Sequence, residues 1–85
     1  MINPFLYNVP SLDVHGCDRT IAVALLKEFI DLYSSRTAHK KLILVHGKGM
    51  GILKKATYEY LKHDERVLSF MVDFYNDGQT IIVLK

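Results

Sequence analysis

A single cysteine, Cys17, means that no disulfide can form within the chain, and that scarcity fits a reducing compartment. No apolar stretch reaches the ~18–20 residues of a membrane-spanning helix. The first ten residues lack the basic start and small-residue cleavage site of a secretory signal. The expectation is therefore a cytoplasmic protein with no membrane partner. Neither sign of charge dominates, since 11 Lys and Arg stand against 9 Asp and Glu for a formal net of +2. There is no low-complexity segment, and 49% of the 85 residues are hydrophobic, which sets the chain apart from disordered, highly charged sequences. One small, modestly stable domain is the outcome to expect.

The charge is unevenly spread. Between Arg36 and Lys62 seven cations (Arg36, Lys40, Lys41, Lys48, Lys54, Lys55 and Lys62) meet one anion, Glu59, while each flank carries a net −2. Clustered Lys and Arg gain by displacing counterions from a phosphate backbone, so a basic middle points to a polyanionic partner.

Residues 1–10 contain Pro4, Asn8 and Pro10 and read as an irregular arm, with Phe5, Leu6, Tyr7 and Val9 available for burial or for a protein partner. From Ser11 to His15, Leu12 and Val14 alternate with Asp13 and His15, the period of a strand. Asp18 or Thr20 can cap a following helix whose stripe is Ile21, Leu25, Phe29, Leu32 and Tyr33, widened by Ala22, Leu26 and Ile30. Leu42 to Val45 is a continuous apolar run of the kind found in central strands. A glycine turn follows, then a second helix over Ile52, Leu53, Ala56, Tyr60 and Leu61. Val67 to Phe74 alternates again, Asn76-Asp77-Gly78 signals a turn, and Thr80 to Leu84 closes a hairpin. The order β-α-β-α-β-β predicts an α/β sandwich with two helices packed on a four-stranded mixed sheet.

Val-His-Gly occurs twice, at residues 14–16 and 45–47, each time at the end of a strand signal. The offset of 31 residues is close to one strand-helix-strand unit, which places both strand ends on the edge where open α/β sheets bind ligands. After the second motif, Gly47-Lys48-Gly49-Met50-Gly51 puts three glycines in five residues. That is an entropic cost explained by close approach of a ligand, with helix-start amides forming a phosphate cradle. Ile52 stands where a dinucleotide fingerprint needs glycine, and no segment supplies the Gly-Lys-Ser/Thr of a nucleotide-triphosphate loop. Asp13 and His15, two apart on one strand face, suit a base with its orienting group or a pair of ligands for a divalent metal. A catalytic Cys17 finds no Cys-His-Asn order to support it, and His39 and His63 read as solvated. Tyr58, Tyr60, Phe29, Phe70 and Phe74 read as core rather than base-stacking platforms, although Tyr58 lies off the apolar stripe, where it could stack on a nucleotide.

Leu12-Asp13-Val14-His15-Gly16, followed by His46-Gly47-Lys48-Gly49-Met50-Gly51, resembles the Smr (small MutS-related) domain, whose hallmarks are L-D-L-H-G and H-G-x-G-x-G. Gly78-Gln79-Thr80 with Ile82 and Leu84 is similar to the family's closing G-x-T-x-V-x-L strand, so the likeness runs from about Ser11 to Lys85. The resemblance implies a fold similar to the C-terminal domain of the third translation initiation factor, and an endonuclease that nicks DNA or cuts RNA. It makes Asp13, His15 and His46 catalytic candidates and Gly47, Lys48, Gly49 and Gly51 phosphate-binding ones, with Lys54 and Lys55 behind them on the basic helix. Val14 replaces the usual Leu, and the glycine-rich stretch before the last strand is reduced to Asp77-Gly78. A divalent cation, magnesium or manganese, is left open as a cofactor. The alternative function is a non-catalytic nucleic-acid-binding module that reads backbone or branched structure. In outline, residues 1–10 form the arm and residues 11–85 the Smr-like domain.

Overall fold

The structure is a computed structural model and describes residues 8–36 and 40–85. Most of the N-terminal arm, and His39, lie outside the described residues. The elements are β1 (Ser11–Asp13), α1 (Arg19–Ser34), β2 (Lys41–Val45), α2 (Ile52–Lys62), β3 (Val67–Asp73) and β4 (Asn76–Leu84). They form a four-stranded sheet of order β1-β2-β4-β3. β1 runs parallel to β2, and β4 is antiparallel to both β2 and β3. This is the expected mixed sheet with two helices packed on it.

The core lies between helices and sheet. Ala22, Leu26 and Ile30 of α1 and Leu61 of α2 meet Val14, Leu42, Leu44, Ile82 and Leu84. The buried line of α1 runs at i, i+4, i+8, one residue round from the stripe expected from the sequence, and Ile21 and Leu32 are half exposed. Asp18 is the N-cap, its carboxylate accepting the Ile21 amide at 2.9 Å, which satisfies one of the donors left open at a helix start. Asp64 accepts from Tyr60 Oη (2.6 Å) and from three nitrogens of Arg66, whose guanidinium also reaches Asp31 on α1. That fork ties the end of α2 to α1.

Three local expectations are corrected. β1 ends at Asp13 rather than at His15. A register shift between Val67 and Ser69 interrupts the simple alternation of β3, and both Val67 and Phe70 pack on the core while Leu68 is exposed. The hairpin turn is Phe74-Tyr75, because Asp73 pairs with Asn76; Asn76-Asp77-Gly78 opens β4 instead. The displaced run has another use, since the Gly78 carbonyl accepts the amides of His46 (3.0 Å) and Gly47 (2.8 Å).

The C-terminal ends of β1, β2 and β3 and the start of β4 share one edge of the sheet, as the strand directions require. The site is built along this edge.

Candidate nucleic-acid cleavage site

The parallel register sets Asp13 beside Val45, an offset of 32, whereas the tripeptides repeat at 31. They are out of step by one residue. Val14, fully buried, becomes the neighbour of His46, and His15 becomes the neighbour of Gly47. A Cβ on Gly47 would lie 3.4 Å from the His15 Cβ, and Val14 donates its amide to Val45 at 2.9 Å. The same three letters thus send one imidazole outward and the other inward.

His15 is the outward one, its side chain 68% exposed. Its Nδ1 lies 2.6 Å from Asp13 Oδ1, which also accepts the His15 amide at 3.0 Å. A carboxylate only accepts, so Nδ1 carries the proton and Nε2 is the ring nitrogen left facing solvent. The bond from His15 holds the Asp13 carboxyl below its ordinary value. Asp13 is itself 54% exposed, so its charge needs no buried partner, and its bonds fix the His15 ring in place.

His46 is the inward one, at 5% exposure. Its Nδ1 lies 3.0 Å from the Gly47 carbonyl and its Nε2 2.8 Å from Thr80 Oγ1. The carbonyl can only accept, so Nδ1 donates; in the neutral ring Nε2 then accepts from Thr80. Thr80 Oγ1 in turn lies 2.6 Å from the Tyr58 hydroxyl, which must donate. Burial pushes the His46 imidazole below its ordinary value, outweighing the opposing pull of the Gly47 carbonyl. This keeps the ring in the neutral state that the chain of bonds requires.

A cleft of about 300 Å³ is lined by His15, Gly16, His46 and residues 47–53. Gly47 and Gly51 have φ of 86° and 80°, a region that side chains with a Cβ rarely adopt. Gly51 is the N-cap of α2 and supplies no side-chain bond, and the first turn has no acidic residue. The start of α2 is therefore unlike that of α1, with amide donors and the positive end of the helix dipole uncompensated by any side chain. Lys48, which also lines the cleft, and Lys54 line a second hollow against the same loop, together with Asp77. Lys48 pairs with Asp77 at 3.3 Å, both ends well exposed, a weak attachment that a phosphate can displace. Lys54 lies 5.6 Å from the Tyr58 ring, and Lys55 is exposed.

All nine site residues expected from the sequence fall on the Gly47–Gly51 loop or on the elements beside it. Tyr58 is no exposed stacking surface: its ring meets Phe70 at 4.9 Å and its hydroxyl serves Thr80. Cys17 is partly buried against the core. Sequence reasoning raised Tyr58 only as a stacking candidate and Gly78 and Thr80 only within the closing-strand motif, and it missed the bonds that tie them to His46 and Gly47; Phe74, read as core, is instead 97% exposed, because it falls in the hairpin turn. Thr80 shares the inward face of β4 with Ile82 and Leu84, and a hydroxyl on a core face needs a partner; that was the available signal. Among the described residues no group of three or more His, Cys, Asp or Glu side chains is placed to hold a metal ion, and no helix is long and apolar enough to cross a membrane.

Comparison with known proteins gives the chain its family. The chain is 33% identical over 79 residues to Endonuclease MutS2 of Clostridium perfringens (strain 13), covering 89% of this chain and 10% of that protein. It is 36% identical over 77 residues to Endonuclease MutS2 of Finegoldia magna, covering 87% and 10%. The chain thus spans about a tenth of the length of these relatives. The crystal structure of the Smr domain of Thermus thermophilus MutS2 superposes with a TM-score of 0.84 at 29% identity, covering 91% of this chain and 99% of that one. The family model of the Smr domain matches residues 12–85, so the chain belongs to the Smr domain family.

Proposed function

We propose that residues 11–85 form a phosphodiester endonuclease acting on DNA or RNA. The observation that carries the reading is the pairing of an oriented, outward imidazole with an uncapped, glycine-rich helix start across one cleft. Lys48 and the first amides of α2 hold the phosphate and offset the charge that builds on its oxygens during attack. His15 Nε2 takes the proton of the attacking water or 2′-hydroxyl as its oxygen bonds to phosphorus, with Asp13 fixing the ring and stabilising the imidazolium that forms; the P–O bond to the leaving oxygen breaks, that oxygen takes a proton from solvent, and the imidazolium later returns its own proton to solvent. His46 is a positioning residue. Both its ring nitrogens are engaged within the protein, and it holds the Gly47 carbonyl that starts the loop. Lys54 and Lys55 extend the basic surface along α2 for the neighbouring backbone.

A magnesium or manganese ion at this site would find the second carboxylate oxygen of Asp13 and little else from the protein, and would rely on substrate phosphates for the rest of its shell. The names of the MutS2 relatives support a nuclease reading. The competing reading, a binding module without catalysis, draws on the basic face alone.

Supercoiled plasmid and a structured RNA, each with and without chelator, separate the two. The proposal expects cleavage by the wild type that is abolished in His15→Ala while binding persists. If the wild type and His15→Ala leave the same background, the domain is not a nuclease, and binding that falls only with Lys48, Lys54 and Lys55 assigns it to the module.

A further inference from the structure

Phe74 and Tyr75 form the two-residue turn between β3 and β4. Phe74 is 97% exposed and Tyr75 is half exposed, and their rings meet edge to face at 6.4 Å. The turn is tightly braced. Asp73 Oδ1 accepts the Tyr75 amide at 2.9 Å, Asp73 Oδ2 accepts from the Gln79 side chain at 2.7 Å, and Asn76 Oδ1 accepts the Gly78 amide at 3.0 Å. An open phenylalanine on a fixed turn presents a large apolar surface to solvent with little conformational freedom left in its backbone, which suits recognition better than stability.

Its position says what it recognises. The turn lies on the cleft edge of the sheet. It is joined to the glycine loop by the bonds from His46 and Gly47 to the Gly78 carbonyl and by the Lys48–Asp77 pair. Gly78 lies three positions after Tyr75, so their Cα atoms are at most about 10 Å apart, or two to three stacked bases at about 3.4 Å each. On the glycine loop itself Met50 is also almost fully exposed, a second open apolar side chain on this edge of the sheet.

We propose that Phe74 and Tyr75 are a stacking platform for an unpaired base, one to three nucleotides from the phosphate held at the glycine loop. A base in a duplex is already stacked on both faces, so the platform selects single-stranded or frayed substrate. The inference rests on the nucleic-acid reading of the cleft, but not on catalysis.

The test is fluorescence anisotropy with a labelled eight-nucleotide single strand and a blunt duplex of the same sequence. The comparison covers the wild type, Phe74→Ala, Phe74→Trp and Lys48→Ala. Phe74 is open to solvent, so its replacement leaves the fold intact, which a thermal melt checks. The expected result is a loss of roughly fivefold or more in single-strand affinity for Phe74→Ala, rescue by Phe74→Trp, and no change with the duplex. Unchanged single-strand affinity in Phe74→Ala, with Lys48→Ala weakened, overturns the platform and leaves the cleft reading standing. An equal loss on the duplex also overturns it. Absence of any binding by the wild type overturns both.

Discussion

His46 Nε2 accepts a hydrogen bond from the Thr80 hydroxyl at 2.8 Å, and the Tyr58 hydroxyl completes the chain at 2.6 Å from the same oxygen. A histidine in this position has no free nitrogen to offer a substrate, yet it governs the residue that starts the glycine loop. The relationship separates two imidazoles that look alike in the sequence.

Thr80→Val is expected to destabilise the domain by about 1–3 kcal/mol, because it leaves His46 Nε2 and the Tyr58 hydroxyl without their buried partner. Tyr58→Phe removes one donor at the end of the chain and should cost about 1 kcal/mol. Urea unfolding monitored by circular dichroism measures both, and a smaller effect for Thr80→Val than for Tyr58→Phe would contradict the proposed bond order.

The same network makes stability depend on pH. His46 is held below its ordinary value of 6.5 in the fold, so below that pH the unfolded chain binds the proton more readily than the native one. Stability from neutral His46 is therefore present above about pH 6.5 and is lost as pH falls through the lowered folded value. Urea midpoints of the wild type should drop in this window, and those of His46→Gln should not. Asp13, Asp31 and Asp64, all lowered by their bonds to His15 and Arg66, add a further loss only below their ordinary value near 3.8.

Arg66→Ala should weaken the fold by about 1–3 kcal/mol, since the nearly buried Asp64 carboxylate loses the guanidinium that bridges it to Asp31. Its distance from the cleft predicts unchanged affinity for nucleic acid in conditions where the variant is folded, measured by the same anisotropy titration.

Gly47→Ala meets the obstacle of a φ of 86°, and its new methyl lies in contact with the His15 Cβ at 3.4 Å. Stability should fall by about 1–2 kcal/mol. Cleavage should fall further than stability explains, because the strain is relieved against His15. Gly16→Ala shares the positive φ but meets nothing within 4 Å, so it should show the stability loss without the displacement of His15. Equal activity in the two folded variants would contradict the contact.

Much of this was legible in the sequence because it rests on local chemistry. Apolar patterning gave both helices and all four strands in their right order, and the glycines marked the turn between β2 and α2, two of them proving left-handed. What periodicity could not supply was register. Whether the tripeptides repeat at 31 while the strands pair at 32 is a tertiary fact, and it decides that Val14 and His46 share the inner side while His15 stays out. The hairpin was misplaced for a related reason: Asn76-Asp77-Gly78 carries strong turn chemistry, but its glycine carbonyl is taken by the amides after β2. Those long-range bonds moved the turn to Phe74-Tyr75.

The central claim is that one Val-His-Gly imidazole is open to substrate and the other is closed within the fold. The most direct measurement is a long-range ¹H–¹⁵N correlation spectrum of the histidine rings, recorded with and without a non-cleavable oligonucleotide. Neutral His46 is expected to carry its proton on Nδ1 and to keep that pattern when the oligonucleotide is added, while the His15 nitrogens shift. A His46 protonated on Nε2, or His46 and His15 responding alike to the oligonucleotide, would contradict it.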